Sequence, residues 1–190
     1  VIQAQKDGYR SRAAYKLIEI EKKYRIIKSG STAVDLGAAP GGWSQVLSKK
    51  IGGNGKVVAV DLLEMPPIKN IDFIQGDFED EAVLQNVEDK LKNMPVDLVI
   101  SDMAPNLTGI KDVDQPAMGN LVTMSATFAS QHLSEQGVFV AKFFEGAEAQ
   151  NVKKTVARLF SEVRVRKPDA SRPKSAENYI VARRPIKVGI

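Results

Sequence analysis

A run of apolar residues from Thr32 to Leu36 breaks at Gly37, crosses a turn of small residues and proline, and restarts at Trp43 with helical spacing (Trp43, Val46, Leu47, Ile51). Strand, glycine loop and helix in that order are the unit from which open α/β sheets build a ligand cradle. Glycines let the backbone approach a ligand closely, and the helix N-terminus offers unpaired N–H groups and positive potential. The loop departs from G-x-G-x-x-G, because position 39 is Ala and Pro40 precedes the glycine pair. A dinucleotide needs its pyrophosphate against the second glycine. This loop therefore suits a nucleoside with a smaller anionic tail, or is simply a tight strand-to-helix link. Gly37, Ala38, Pro40 and Gly41 are its cofactor-binding candidates. Trp43 either joins them or packs in the core.

The rest of the chain repeats the alternation. Residues 1–10 are polar and read as a flexible lead; a helix with Ala14, Leu17, Ile18 and Tyr24 on one face follows from Ser11 and fades near Arg25. Lys56 to Asp61 is a second buried strand. Asp61 ends it 20 residues after Gly41, the spacing at which an acid accepts hydrogen bonds from both hydroxyls of an adenosine ribose; a turn aspartate is the plainer reading. The third strand, Ile71 to Gln75, leads to Asp77 and Phe78. That carboxylate and ring can bind an adenine amino group and cover its face, or Asp77 can cap the helix predicted over 79–92. The fourth strand, Val96 to Ser101, runs into Asp102 and a polar stretch through Asp114 that has the character of a lid, with a helix predicted from Pro116 to Leu133. The fifth, Gly137 to Phe144, embeds Lys142 in V-F-V-A-K-F-F. Burying an ammonium is costly unless it is paired or neutral, so Lys142 either snorkels at the strand end or has chemistry. A helix over 147–160, an alternating strand over 163–166, a Pro/Ser/Lys loop over 168–176 and a strand over 178–183 complete the chain, with Glu177 opening the last strand.

The 190 residues suit a single domain, 1–190, with 43% hydrophobic and 26% charged residues. No apolar run approaches the ~18 residues of a membrane span, so no membrane partner is expected. The chain opens at Val1 rather than Met, so residues are expected to precede it. Zero cysteines exclude thiolate metal sites and suit a cytoplasmic setting, and one histidine makes a His-based metal site or a Ser-His-Asp triad a poor reading. His132, near a helix C-terminus, reads as structural. Charge is segregated: residues 1–28 hold 8 Lys/Arg against 3 Asp/Glu, residues 161–190 again 8 against 3, and the middle 11 against 17. Basic ends around an acidic centre form a polyanion-binding face if the termini converge, and solvated tails if they do not.

Five strands alternating with helices imply a right-handed doubly wound sheet, and two final strands joined without a helix make one pair antiparallel. Five motifs then occur in order: S-R-A-A-Y-K-L (11–17), D-L-G-A-A-P-G-G-W-S (35–44), S-D-M-A-P-N (101–106), A-K-F-F (141–144) and S-R-P-K-S-A-E-N-Y (171–179). Together they resemble the FtsJ/RlmE-type large-subunit ribosomal RNA 2′-O-methyltransferases almost end to end. The resemblance implies a Rossmann-like α/β fold: a mostly parallel seven-stranded sheet, an antiparallel last strand, and helices on both faces. It implies S-adenosylmethionine (SAM) as cofactor with no metal. It also implies a catalytic tetrad on Lys16, Asp102, Lys142 and Glu177, none of which is substituted. Its implied substrate is a uridine ribose in the aminoacyl-site loop of 23S rRNA, met by a monomer in the assembled 50S subunit.

Chemical reasoning gives each tetrad member a part. Methyl transfer from a sulfonium is an in-line displacement that depends on orientation, and the 2′-hydroxyl must lose its proton. Lys142 is the candidate base or lone-pair orienter. Burial and the Lys16 charge favour its neutral amine, while Asp102 and Glu177 favour the ammonium. Asp102 is placed to face both the amino-acid end of the cofactor and Lys142, while Glu177 and Lys16 position the substrate or Lys142. Arg10, Arg12, Lys22, Lys23, Arg172 and Lys174 are the candidate phosphate contacts. Rival readings are a 2′-O-methyltransferase acting on tRNA or another RNA, a dinucleotide oxidoreductase, disfavoured by the missing glycine fingerprint, and a silent RNA-binding assembly factor. D-M-A-P-N in place of N-P-P-aromatic argues against methylation of a base amino group.

Overall fold

The computed structural model describes residues 2–187. Its strands are β1 (Thr32–Leu36), β2 (Lys56–Asp61), β3 (Ile71–Gln75), β4 (Val96–Ser101), β5 (Leu133–Phe144), β6 (Phe160–Arg166) and β7 (Glu177–Pro185). Its helices are α1 (Ile2–Lys6), α2 (Ala13–Tyr24), α3 (Gly42–Ile51), α4 (Glu81–Leu91), α5 (Lys111–His132) and α6 (Ala149–Leu159). The strands form one sheet in the order β3-β2-β1-β4-β5-β7-β6. β1 to β5 run parallel, and β7 enters antiparallel to both β5 and β6. The order reverses between β1 and β4, so a crevice opens at their C-terminal ends.

Alternation of side chains along each strand divides the core in two. Val34, Leu36, Val58, Val60, Phe139, Ala141 and Phe143 face α4, α5 and α6. Ala33, Val57, Leu98, Ile100, Val138, Val140 and Tyr179 face α2 and α3. Leu17 and Ile20 of α2 and Leu47 of α3 are fully buried on the second face, each side chain contributing about 1.5–3 kcal/mol of apolar transfer. α2 stops where Arg25 takes a left-handed φ of 51°. The buried carboxylate of Glu21 then accepts the Ile26 and Ile27 amides at 2.8 Å each, which fixes the exit of the chain.

Several boundaries differ from the sequence expectation for identifiable reasons. The polar lead is not a free tail over its described part: it holds α1 with Ala4 buried, and Arg10 N donates to Gln45 of α3 at 2.8 Å. Asp80, not Asp77, caps α4, accepting the Ala82 amide at 2.9 Å. α5 begins at Lys111, with Pro116 inside it rather than at its start. The Asp114 carboxylate accepts both amides of Thr108 and Gly109, at 2.8 and 3.0 Å, and so organises the entry turn early. The lid candidate therefore contracts to residues 102–110, and 111–114 belong to the helix. β5 starts at Leu133, its pairing with β4 stepping across an irregularity between Val96 and Leu98.

Candidate active site

Gly37 leaves β1 with φ of 76°, and a Cβ there would meet Met103 at 2.8 Å, so this position is closed to other residues. The Gly37 and Ala38 amides donate to Val60 O at 2.9 and 3.1 Å, which lays the loop against the tip of β2. Beneath the crevice opens a cavity of about 380 Å³ lined by Gly37, Asp61, Asp77, Phe78 and Asp102, all expected there, together with Ala39, Met103 and Leu121. Asp61 serves the turn as well. Its Oδ2 accepts the Ala39 amide at 2.9 Å and its Oδ1 the Leu63 amide at 2.8 Å, while each oxygen retains a second lone pair. Leu62 and Leu63, exposed immediately after β2, also line the cavity; two leucines breaking out of a strand were the available signal for them.

Four of the expected cofactor residues stand elsewhere. Ala38 is buried against Ala59 and Met65. The Pro40 carbonyl accepts from Arg10 at 3.2 Å. Gly41, with φ of 119°, precedes the first turn of α3 and is covered by Ile68 and Arg10. Trp43 is 2% exposed; its indole N–H donates to Ala13 O at 2.7 Å and its ring lies 5.6 Å from that of Tyr179. It is a strut between α2, α3 and β7, because an indole this buried needs its one donor satisfied inside the core.

The cleft is acidic. Asp61, Asp77 and Asp102 line it with no Lys or Arg among the lining residues. Below it, the fully buried Asp35 accepts from Ser44 Oγ at 2.7 Å through Oδ2, and its Oδ1 has no partner. Burial pushes the Asp35 carboxyl up to about 7 against the opposing Ser44 hydrogen bond, with the charges of Asp102 and Asp61 adding to the rise.

The four tetrad residues arrive from four elements: Lys16 from α2, Asp102 from the end of β4, Lys142 from β5 and Glu177 from the start of β7. Lys142 Nζ stands 3.3 Å from Asp102 Oδ1, and Lys16 is ion-paired to Glu177. All four side chains are largely buried, between 11% and 18% exposed. The β5–β7 register sets Lys142 opposite Tyr179 and Phe144 opposite Glu177. Sequence reasoning missed Tyr179, whose hydroxyl donates to Asp102 Oδ1 at 2.9 Å. Burial holds the Tyr179 phenol far above its ordinary range, and the charges of Asp102 and Glu177 push it further.

The basic ends converge. A second cavity, about 530 Å³, is lined by Arg12, Lys16, Arg172, Lys174, Ser175 and Glu177. Glu19 of α2 clamps the 168–176 loop above it, accepting the amides of Asp169 and Ala170 at 2.7 Å each. The remaining phosphate candidates are not brought to this cavity. The Arg10 guanidinium donates to the carbonyls of Pro40, Pro66 and Pro67, which makes it a fastener of the loops. Lys22 and Lys23 are exposed in the last turn of α2, and Lys23 lies over the Tyr24 ring.

The FtsJ-like methyltransferase family matches residues 9–185 of the chain. Ribosomal RNA large subunit methyltransferase E of Xanthomonas campestris pv. campestris (strain B100) is 49% identical over 181 residues, covering 95% of this chain and 86% of the relative. The protein of that name from Pseudomonas fluorescens (strain Pf0-1) is 50% identical over 182 residues, 96% of this chain and 87% of the relative. Among solved structures, a Plasmodium falciparum chain assigned as a ribosomal RNA methyltransferase superposes with a TM-score of 0.81 at 33% identity, covering 93% of this chain and 98% of that one. Aeropyrum pernix fibrillarin, solved with SAM natively bound, shares the fold with a TM-score of 0.62 at 20% identity, covering 92% and 75%. The chain belongs to the FtsJ-like methyltransferase family.

Proposed function

We propose that this protein transfers a methyl group from SAM to the ribose 2′-hydroxyl of a uridine in the aminoacyl-site loop of large-subunit rRNA, within the assembled 50S subunit. One observation carries the reading. The tetrad stands between an acidic nucleoside-sized cleft, reached through Asp102, and a basic cavity, reached through Lys16 and Glu177.

The cleft's own residues fit SAM. Four carboxylates, of Asp61, Asp77, Glu79 and Asp102, complement a ligand that carries a sulfonium and an ammonium, and the Gly37 backbone gives the close approach a nucleoside needs. Asp61 keeps lone pairs for ribose hydroxyls; Asp77 and Phe78 offer an acceptor and a ring face to the adenine. SAM held there would supply its methyl for an in-line displacement, its sulfur keeping the electron pair of the broken carbon–sulfur bond. Lys142 orients the 2′-oxygen and, as a neutral amine, takes its proton to become the ammonium, while Asp102 holds that nitrogen in place from 3.3 Å. The ion pair of Lys16 and Glu177 fixes one wall of the acceptor site. Arg12, Arg172 and Lys174 hold the flanking phosphates.

The test is transfer of labelled methyl from SAM to isolated large ribosomal subunits, free rRNA and tRNA, followed by nuclease mapping of the modified ribose. Label on a ribose of the subunit is the expected result. Label on tRNA alone replaces the substrate, and label on a base replaces the reaction.

A further inference from the structure

A third cavity, about 800 Å³, shares Ser175 and Glu177 with the basic one and extends the opposite way. Its walls are the start of α5 and the β5–α6 turn, with Leu107, Gln115, Pro116 and Phe144 among them. Phe144 lies two residues beyond Lys142 on the same strand and directly across from Glu177. Glu177 is paired with Lys16, so the cavity borders the tetrad at that carboxylate, while the Phe144 ring packs against the core beneath α5 and α6. We infer that this cavity receives the base of the target nucleotide, rotated out of its stack, with Phe144 as its stacking platform and Gln115 reading its edge. This rests on the reading of the site as a ribose 2′-O-methyltransferase.

Charge separates this cavity from its neighbour. Asp112, Asp114, Glu145 and Glu148 line it against a single Lys111. A phosphodiester is repelled there and attracted to Arg12, Arg172 and Lys174 on the other side of Glu177. A neutral base is the part of a nucleotide that suits acidic walls with an apolar floor. With phosphates in the basic cavity and the ribose at Lys142, the base has this opening left to it. The Gln115 amide donates to Glu145 O at a long 3.3 Å. Its carboxamide provides one acceptor and two donors, a match for the N3–H and O4 of uracil and a mismatch for the N3 and amino group of cytosine when held in that orientation.

Phe144→Leu and Gln115→Leu are compared with the unaltered protein on large subunits carrying uridine or cytidine at the mapped position. Kd for SAM and thermal unfolding are followed alongside. Stacking on an aromatic ring is worth about tenfold, so Phe144→Leu is expected to lower kcat/KM by about that factor with SAM affinity unchanged. Gln115→Leu is expected to erase the uridine preference, because a buried polar edge left unpaired is what rejects the wrong base. Wild-type turnover with both variants within twofold in rate and preference overturns the base pocket alone. No ribose label from the unaltered protein overturns the reading beneath it as well. If Phe144→Leu does not fold, Gln115→Leu, on the half-buried α5 surface, decides alone.

Discussion

The Tyr179 hydroxyl donates to Asp102 Oδ1 at 2.9 Å, the same oxygen that faces Lys142 Nζ at 3.3 Å. Tyr179 and Lys142 are also cross-strand partners, so one register of β7 against β5 sets both contacts. Asp102 is thereby held from two directions while it lines the acidic cleft. In the proposed mechanism Tyr179 is a positioning residue, holding Asp102 and, through it, Lys142.

Tyr179→Phe keeps the ring against Trp43 and removes only the donor. Turnover should fall by roughly tenfold with KM for SAM and RNA near normal, as a small loss of alignment costs the transition state and not the ground state. Steady-state kinetics decide it. An equal rise in KM for both ligands with kcat retained would mean that the tyrosine is only a packing residue.

Lys142→Ala removes the group proposed to take the proton and leaves Asp102 with its Tyr179 bond. Loss of a positioned acid–base group costs about 10²–10⁴ in rate. Single-turnover transfer with saturating SAM and subunits should show that loss while calorimetry still detects SAM. Near-normal turnover would remove Lys142 from the chemistry.

Much of this site was readable because the chemistry sits at strand ends. Asp61 ends the apolar run of β2, Asp102 follows that of β4, and Lys142 interrupts that of β5; a charged residue at such positions is conspicuous in any α/β sequence. The contacts that fix those residues were not readable. Tyr179 meets Asp102 across 77 residues, and Glu19 meets Asp169 across 150. Nothing local distinguishes such a Tyr or Glu from a core ring or a solvated helix face. Trp43, left open between pocket and core by its place beside the glycine loop, packs in the core, its indole donor satisfied by Ala13. Pro116 misplaced the start of α5, because the carboxylate of Asp114 had already gathered the turn before it.

Buried Asp35 gives the fold a pH signature. Its carboxyl, raised from 3.8 to about 7, holds a proton in the folded state that the unfolded chain has lost. Stability therefore falls as pH rises through that window, by up to roughly 1.4 kcal/mol per pH unit, and the full cost is present above it. Asp35→Asn preserves the Ser44 bond and cannot ionise. In urea unfolding of the ligand-free protein, the variant should exceed the parent above pH 7 and converge with it toward pH 4. A difference independent of pH would assign the effect to packing.

Two arginines near the N-terminus should separate cleanly by salt dependence. Arg12 lines the basic cavity with Arg172 and Lys174, whereas Arg10 spends its guanidinium on the carbonyls of Pro40, Pro66 and Pro67. Removing one cation from a phosphate reduces the slope of log K against log salt by about 0.7–0.9, so Arg12→Ala and Arg172→Ala should each flatten the plot by close to one. Arg10→Ala should leave the slope untouched and lower Tm, because the glycine loop at Pro40 and the β2–β3 connection at Pro66 and Pro67 would lose the side chain that ties them together. Filter binding of subunit rRNA between 50 and 200 mM salt, roughly the range over which phosphate pairing weakens most visibly, makes the comparison. An unchanged slope in Arg172→Ala would mean that the RNA backbone runs elsewhere, and a reduced slope in Arg10→Ala would return that arginine to the RNA interface.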